Sequence, residues 1–135
     1  MASKHRDVLL GRLKAQGARL REVRKDLLRQ QPGTTQRWFQ GPDGCDLFLW
    51  YDDSHGLSQL QLTFHERVID WSASEGLRTG RLESFRQGTP LVDRGRVVPD
   101  LAPDEETLDW ARAVLSEATI DDVTLAILKR TLRRA

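Results

Sequence analysis

The sequence predicts an α+β fold: an antiparallel meander sheet of five or six strands, a long N-terminal helix and two C-terminal helices. Three observations predict it. Apolar residues recur at helical spacing near the N-terminus, residues 37 to 72 alternate between apolar and polar, and the helical period returns after Pro103. A chain of 135 residues is long enough to bury one core. A single domain over 1–135 is therefore expected, with a basic amphipathic helix (1–33), a sheet (37–99) and two helices (103–135).

The first helix rests on Leu9, Leu13, Leu20, Val23 and Leu27, at intervals of 4, 7, 3 and 4, with Gln16 and Gln30 completing a heptad pattern. Ser3 or Asp7 is placed to cap it, and Pro32-Gly33 ends it. Gly11 and Gly17 each weaken it by about 1 kcal/mol relative to Ala, so fraying or a kink is expected. Helical from residue 4 to 31, it would reach about 42 Å, comparable to the roughly 37 Å diameter of a compact domain of this length. Such a helix projects or is shared, and a homodimer is expected. A parallel coiled coil would oppose Arg19 to Arg24 of the partner subunit, so antiparallel pairing or docking on its own domain fits better.

After PGTT the period shortens. RWFQ (37–40), the turn GPDGC, DLFLWYD (46–52), the turn DDSHG and LSQLQLTF (57–64) read as successive strands. HER is a tight connection to VIDWS (68–72). A glycine-rich passage from Gly76 to Gly80 precedes a short strand RLESF, and TPLVDRGRVV reads as a hairpin turning at Arg94-Gly95. From Pro103, set in a first turn, the acidic run Asp104, Glu105, Glu106 opens a helix with Leu108, Ala111 and Leu115 on one face. Thr119 and Asp122 resemble a capping box for a last helix through Val123, Ile127 and Leu128.

Pairing Asp52 with Leu57 puts Trp50 opposite Gln59, Phe48 opposite Gln61 and Asp46 opposite Thr63, all on one face. The other face carries Leu47, Leu49, Tyr51, Leu60, Leu62 and Phe64, joined by Ile69 and Trp71, and is the expected core. Rings beside amides combine rigid contact area with groups that fix orientation. Phe48, Trp50, Gln59 and Gln61 are the candidate ligand- or partner-binding residues. The competing expectation is that a helix covers this face and the two aromatics are ordinary packing.

Common chemistries find little support. The chain carries 21 Lys and Arg against 20 Asp and Glu, a net charge of +1, so overall charge points to no partner. One cysteine, Cys45, cannot form an internal disulfide, which favours a reducing, cytoplasmic setting. No signal peptide or membrane span is visible. His5, His55 and His65 lack metal-ligand spacing, and no glycine-rich phosphate or dinucleotide motif occurs. No metal, cofactor or catalytic residue is therefore assigned, and Cys45 reads as structural. Asp52, Asp53 and His55 fit the needs of a turn. A small hydrolase or isomerase using Asp70, Glu66 or His65 is an alternative. Residues 1 to 31 carry nine basic and three acidic side chains, so a nucleic-acid accessory role through Arg12, Arg19 and Arg24 is another.

The runs WFQ, DLFLWYD, LQL, ER-x-x-x-W and TPLV together resemble a group of short bacterial proteins of unknown function. The matching residues are Trp38, Phe39, Asp46, Leu47, Phe48, Trp50, Gln61, Leu62, Glu66, Arg67 and Trp71, with Thr89 to Val92 later. The resemblance covers residues 37 to 98 and leaves the basic helix outside. It implies no activity. The expected function is a non-enzymatic binding or protein-interaction module, a homodimer or the partner of another protein, working through the Trp50 face.

Overall fold

Alternating side chains bury one face of a sheet only when every strand keeps the register of its neighbour. The computed structural model, which describes residues 2–24, 28, 35–82 and 97–133, keeps that register across the middle of the chain. Its elements are α1 (Ala2–Ala18), β1 (Arg21–Glu22), β2 (Thr35–Gln40), β3 (Asp46–Tyr51), β4 (Leu57–Phe64), β5 (Arg67–Ser72), β6 (Gly76–Leu82), β7 (Val97–Pro99), α2 (Glu105–Ser116) and α3 (Asp122–Arg133). The strands form one antiparallel sheet in the order β1-β2-β3-β4-β5-β6-β7. Its edge strands are two and three residues long. Pro99 lacks an N–H, and both features limit pairing with a further strand.

The α+β class and the helices at both ends agree with expectation, but the described residues form seven strands rather than five or six. One addition is β1, inside the segment expected to be helical. The chain leaves α1 at Ala18, and Arg19 N and Leu20 N bond back to Gln16 O and Gly17 O at 3.1 Å each. Arg21 and Glu22 then pair with Gln40 and Phe39. Leu20 is fully buried from this turn rather than from a helix. The heptad spacing was met by a residue that reaches the core another way. Asp7 lies within α1 and does not cap it. The glycine-rich passage is itself β6, not a lead-in to a strand. The expected TPLVDRGRVV hairpin and the helix end at Pro32-Gly33 lie outside the described residues, apart from Val97 and Val98 in β7.

The leucine face is the core. Leu47, Leu49, Leu60, Leu62, Phe64 and Ile69 are buried with Leu13, Leu108, Val114, Leu115 and Leu128 from the helices, and Tyr51 and Trp71 pack at its border. α1 docks on α2 of its own chain, with Gly17 at the crossing: a Cβ there would lie 1.6 Å from Val114 O. Glycine at this position permits backbone contact between the helices, where helix propensity alone suggested fraying or a kink.

Both C-terminal helices begin with the pattern Asp-x-x-Thr, and each cap carboxylate also meets a strand arginine. Asp104 Oδ2 accepts from Thr107 N (3.0 Å), Thr107 Oγ1 (2.7 Å) and Arg67 Nη1 (3.2 Å). Asp121 Oδ2 accepts from Thr124 N (3.1 Å) and Thr124 Oγ1 (2.6 Å), while Asp121 Oδ1 takes Arg37 Nη2 (3.1 Å). The last helix is thus capped by Asp121, not by the Thr119–Asp122 box; Thr119 Oγ1 donates to Leu20 O at 2.8 Å instead. Pro103 precedes the Asp104 cap and lies outside the first turn of α2.

Candidate functional site on the amide face of the sheet

The face opposite the leucines is built by cross-strand rows. Trp38 pairs with Phe48, Phe48 with Gln61, Gln61 with Asp70 and Asp70 with Arg78. One straight line across five strands therefore runs from aromatic through amide to ionic side chains. The adjacent row is Gln36, Trp50, Gln59 and Ser72. The predicted pairs Trp50–Gln59, Phe48–Gln61 and Asp46–Thr63 are all present, but the expected Asp52–Leu57 pair is not: Leu57 pairs with Tyr51 across a bulge at Trp50/Tyr51, and Asp52 N bonds to Gly56 O within the turn.

The rings form a ladder. Trp38 and Phe48 stack at 5.5 Å between centroids, and Phe48 and Trp50 at 6.0 Å. Trp38 Nε1 donates to Asp46 Oδ1 at 3.0 Å. Phe48 is only 1% exposed and Gln61 only 4%, whereas Trp50 and Gln59 are half-buried. Of the four candidates, then, Phe48 and Gln61 are internal supports and Trp50 and Gln59 offer surface. Phe48 stands apart from the core cluster that holds the helices' buried side chains.

Beside the ladder the polar groups converge. Asp70 Oδ1 accepts from Gln59 Nε2 (3.2 Å), and Asp70 Oδ2 accepts from Arg78 Nη2 (2.9 Å). Arg78 Nη1 also meets Glu75 Oε2 at 3.0 Å. Gln59, Asp70 and Arg78 border a cavity of about 350 Å³, whose other polar lining is Gln61 and Thr79 and whose apolar wall is Val68, Val97 and Pro99. Gly80 lets β7 lie close against β6 beside Val68, since a Cβ there would lie 2.8 Å from Val97 Cγ1 and 2.9 Å from Val98 O. Convergent polar groups on an apolar wall, all carried by strands, are the usual makings of a ligand site.

A larger cavity of about 480 Å³ lies between α1 and α2, lined by His5, Arg6, Leu9, Glu106, Asp109 and Trp110. Its principal ion pair, Arg6–Asp109, is long at 3.7 Å and largely solvated. The Trp110 ring is already engaged by the Arg67 guanidinium at 4.4 Å and the edge of His65 at 5.4 Å. The sheet cavity is smaller but better organised.

The hydrolase candidates are not assembled. His65 and Glu66 are exposed in the β4–β5 turn and border a separate cavity, while Asp70 lies about 13 Å along β5 from Glu66 at the usual strand rise. Asp52 works as turn chemistry, its Oδ1 accepting from Ser54 Oγ (2.7 Å), Ser54 N (3.0 Å) and Gly56 N (3.0 Å). Those bonds, the Ser54 hydroxyl first, hold its carboxyl below the usual range. Cys45 is buried, and burial followed by the neighbouring Asp46 charge pushes its thiol up to about 12, far from a reactive thiolate. The nucleic-acid candidates do not share a helix: Arg12 is exposed on α1, Arg19 in the turn after it and Arg24 beyond β1. Among the described residues no three His, Cys, Asp or Glu side chains could hold a metal ion, and no helix is long and apolar enough to cross a membrane.

Trp38 and Arg78 were not among the sequence candidates. Pairing Gln40 with Asp46 around GPDGC would have placed Trp38 beside Phe48, and extending the register around SASEG would have added Arg78. Asp70 was legible only as a member of an acid-base group. Comparisons with protein-family models, curated proteins and solved structures give no match.

Proposed function

We propose that this protein is a non-enzymatic binding module whose amide-and-aromatic sheet face receives a ligand or a partner's side chain. The row Trp38–Phe48–Gln61–Asp70–Arg78, ending at a cavity of about 350 Å³, carries the reading. Stacked rings stiffen the strands, the Gln59–Asp70–Arg78 network presents oriented donors and acceptors, and Val68, Val97 and Pro99 supply apolar contact. The single buried thiol favours a cytoplasmic setting within the same proposal.

A fragment screen followed by two-dimensional amide NMR tests the reading on the whole chain. Shifts should cluster at Trp50, Gln59, Gln61, Asp70 and Arg78. Hits confined to the α1–α2 cavity, or to no common surface, would reject it.

A further inference from the structure

We infer that the sheet cavity takes a small alkyl-ammonium or alkyl-guanidinium ligand of amino-acid size, with its cationic head at Asp70 and its alkyl part on Val68, Val97 and Pro99. This rests on the binding reading above and adds the charge and shape of the ligand.

Local charge selects the head group. Arg78 is shared between two carboxylates, 2.9 Å from Asp70 Oδ2 in the cavity wall and 3.0 Å from Glu75 Oε2 outside it, so Glu75 offsets part of the guanidinium's charge at Asp70 and the three side chains carry one net negative charge. Both terminal nitrogens of Arg78 already donate to these acids. An anionic ligand would have to displace one of them and then face the carboxylate it displaced. A cation meets the opposite situation. An ionised carboxylate offers about four lone-pair sites, and Asp70 takes Gln59 Nε2 on one oxygen and Arg78 on the other, which leaves acceptor capacity on each. The Asp70 side chain is 25% exposed and the Arg78 side chain 57%. The acceptor is therefore set back in a partly desolvated wall, where a charge pair is stronger, and the protein's own cation lies at the rim.

Shape selects the rest. A hydrocarbon stem ending in a cation matches an apolar wall ending in a carboxylate, and a wholly apolar ligand would strip Asp70 of water without replacing its hydrogen bonds. The volume lies near the lower end for small-molecule sites, which favours a free small molecule over a folded partner.

Nα-acetyl-argininamide, whose only charge is the guanidinium (argininamide below), is the probe, followed through the side-chain amides of Gln59 and Gln61 and the tryptophan indole signals. It should shift them saturably, and its neutral isostere Nα-acetyl-citrullinamide should bind about tenfold more weakly or worse. Asp70→Asn should weaken argininamide by a similar factor. Arg78→Gln, at the exposed rim, should strengthen it severalfold by removing the competing guanidinium. Equal binding of the two amides, preference for glutarate, or weaker argininamide binding in Arg78→Gln would overturn the inference. So would tighter binding of a blocked Gly-Arg-Gly peptide than of argininamide, which would assign the site to a peptide segment. If argininamide fails while uncharged fragments still shift this face, the ligand class is wrong and the binding reading stands. If nothing shifts the face, both fall.

Discussion

Trp38 donates its indole N–H to the carboxylate of Asp46, 3.0 Å away and 1% exposed, and so ties β2 to β3 on the amide face. The bond sets the ring that stacks on Phe48. Trp38→Phe removes the donor and keeps an aromatic ring in the ladder, so it should lower stability by about 0.5–1.5 kcal/mol. Asp46→Ala should lower it more, by about 1–3 kcal/mol, because the indole N–H then lacks its acceptor. Urea unfolding of both variants checks the order.

Gly11 and Gly17 should respond in opposite directions. Gly11 has open space around its Cβ position, so Gly11→Ala should stabilise the protein by about 0.5–1 kcal/mol through helix propensity. Gly17→Ala would press a methyl group into Val114 O, a backbone atom that cannot rotate away. It should cost about 3 kcal/mol or force α1 off α2. Thermal melts of the two single variants separate propensity from close packing.

The two Asp-x-x-Thr caps predict an acid limb. The Thr107 hydroxyl holds Asp104, and the Thr124 hydroxyl holds Asp121, below the usual carboxylate range, each helped by its own backbone amide and a strand arginine. A carboxyl whose folded-state pKa is lowered stabilises the fold above its unfolded value of about 3.9 and loses that contribution as pH falls through the lowered value. Stability should therefore decline below about pH 4. Asp104→Asn with Asp121→Asn should flatten that decline, and alanine at either cap should cost about 0.5–2 kcal/mol at neutral pH. Urea titrations between pH 2 and 7 measure both effects.

The β4–β5 turn carries two non-glycine residues at positive φ, His65 at 47° and Glu66 at 59°, the geometry of a type I′ hairpin. Glu66 is exposed, so Glu66→Gly should relieve its strain and raise stability by about 1 kcal/mol. His65→Gly relieves similar strain but removes the edge contact with Trp110, worth about 0.5–1.5 kcal/mol. It should come out near neutral. The difference in melting temperature between these variants reports the His65–Trp110 contact.

Much of the central sheet is visible in the chain because its cause is local. Alternation from Asp46 to Phe64 and the short DDSHG turn place Phe48 opposite Gln61 and Trp50 opposite Gln59, and the leucines opposite one another, since a slip of one residue would reverse both faces; the bulge that gives Leu57 Tyr51 as its partner in place of Asp52 carries no such signal. The acidic start of α2 and the composition of the turns are local signals of the same kind. They locate the amide face and two of its surface residues, Trp50 and Gln59.

Other features depend on distant contacts. Leu20 satisfies a helical stripe yet is buried from a turn, because pairing Arg21–Glu22 with Phe39–Gln40 satisfies backbone groups that further helix would otherwise have used. Gly17 looks like a weak helix position until Val114 is found against it. Thr119 has the spacing of a cap but bonds to Leu20 across the fold. The depth of Phe48 and the convergence of Gln59, Asp70 and Arg78 likewise required strands from separate parts of the chain to assemble. Periodicity specifies which way a side chain points relative to its neighbours; burial and hydrogen-bond partners depend on what else arrives there, and for this protein those partners lie up to 99 residues away.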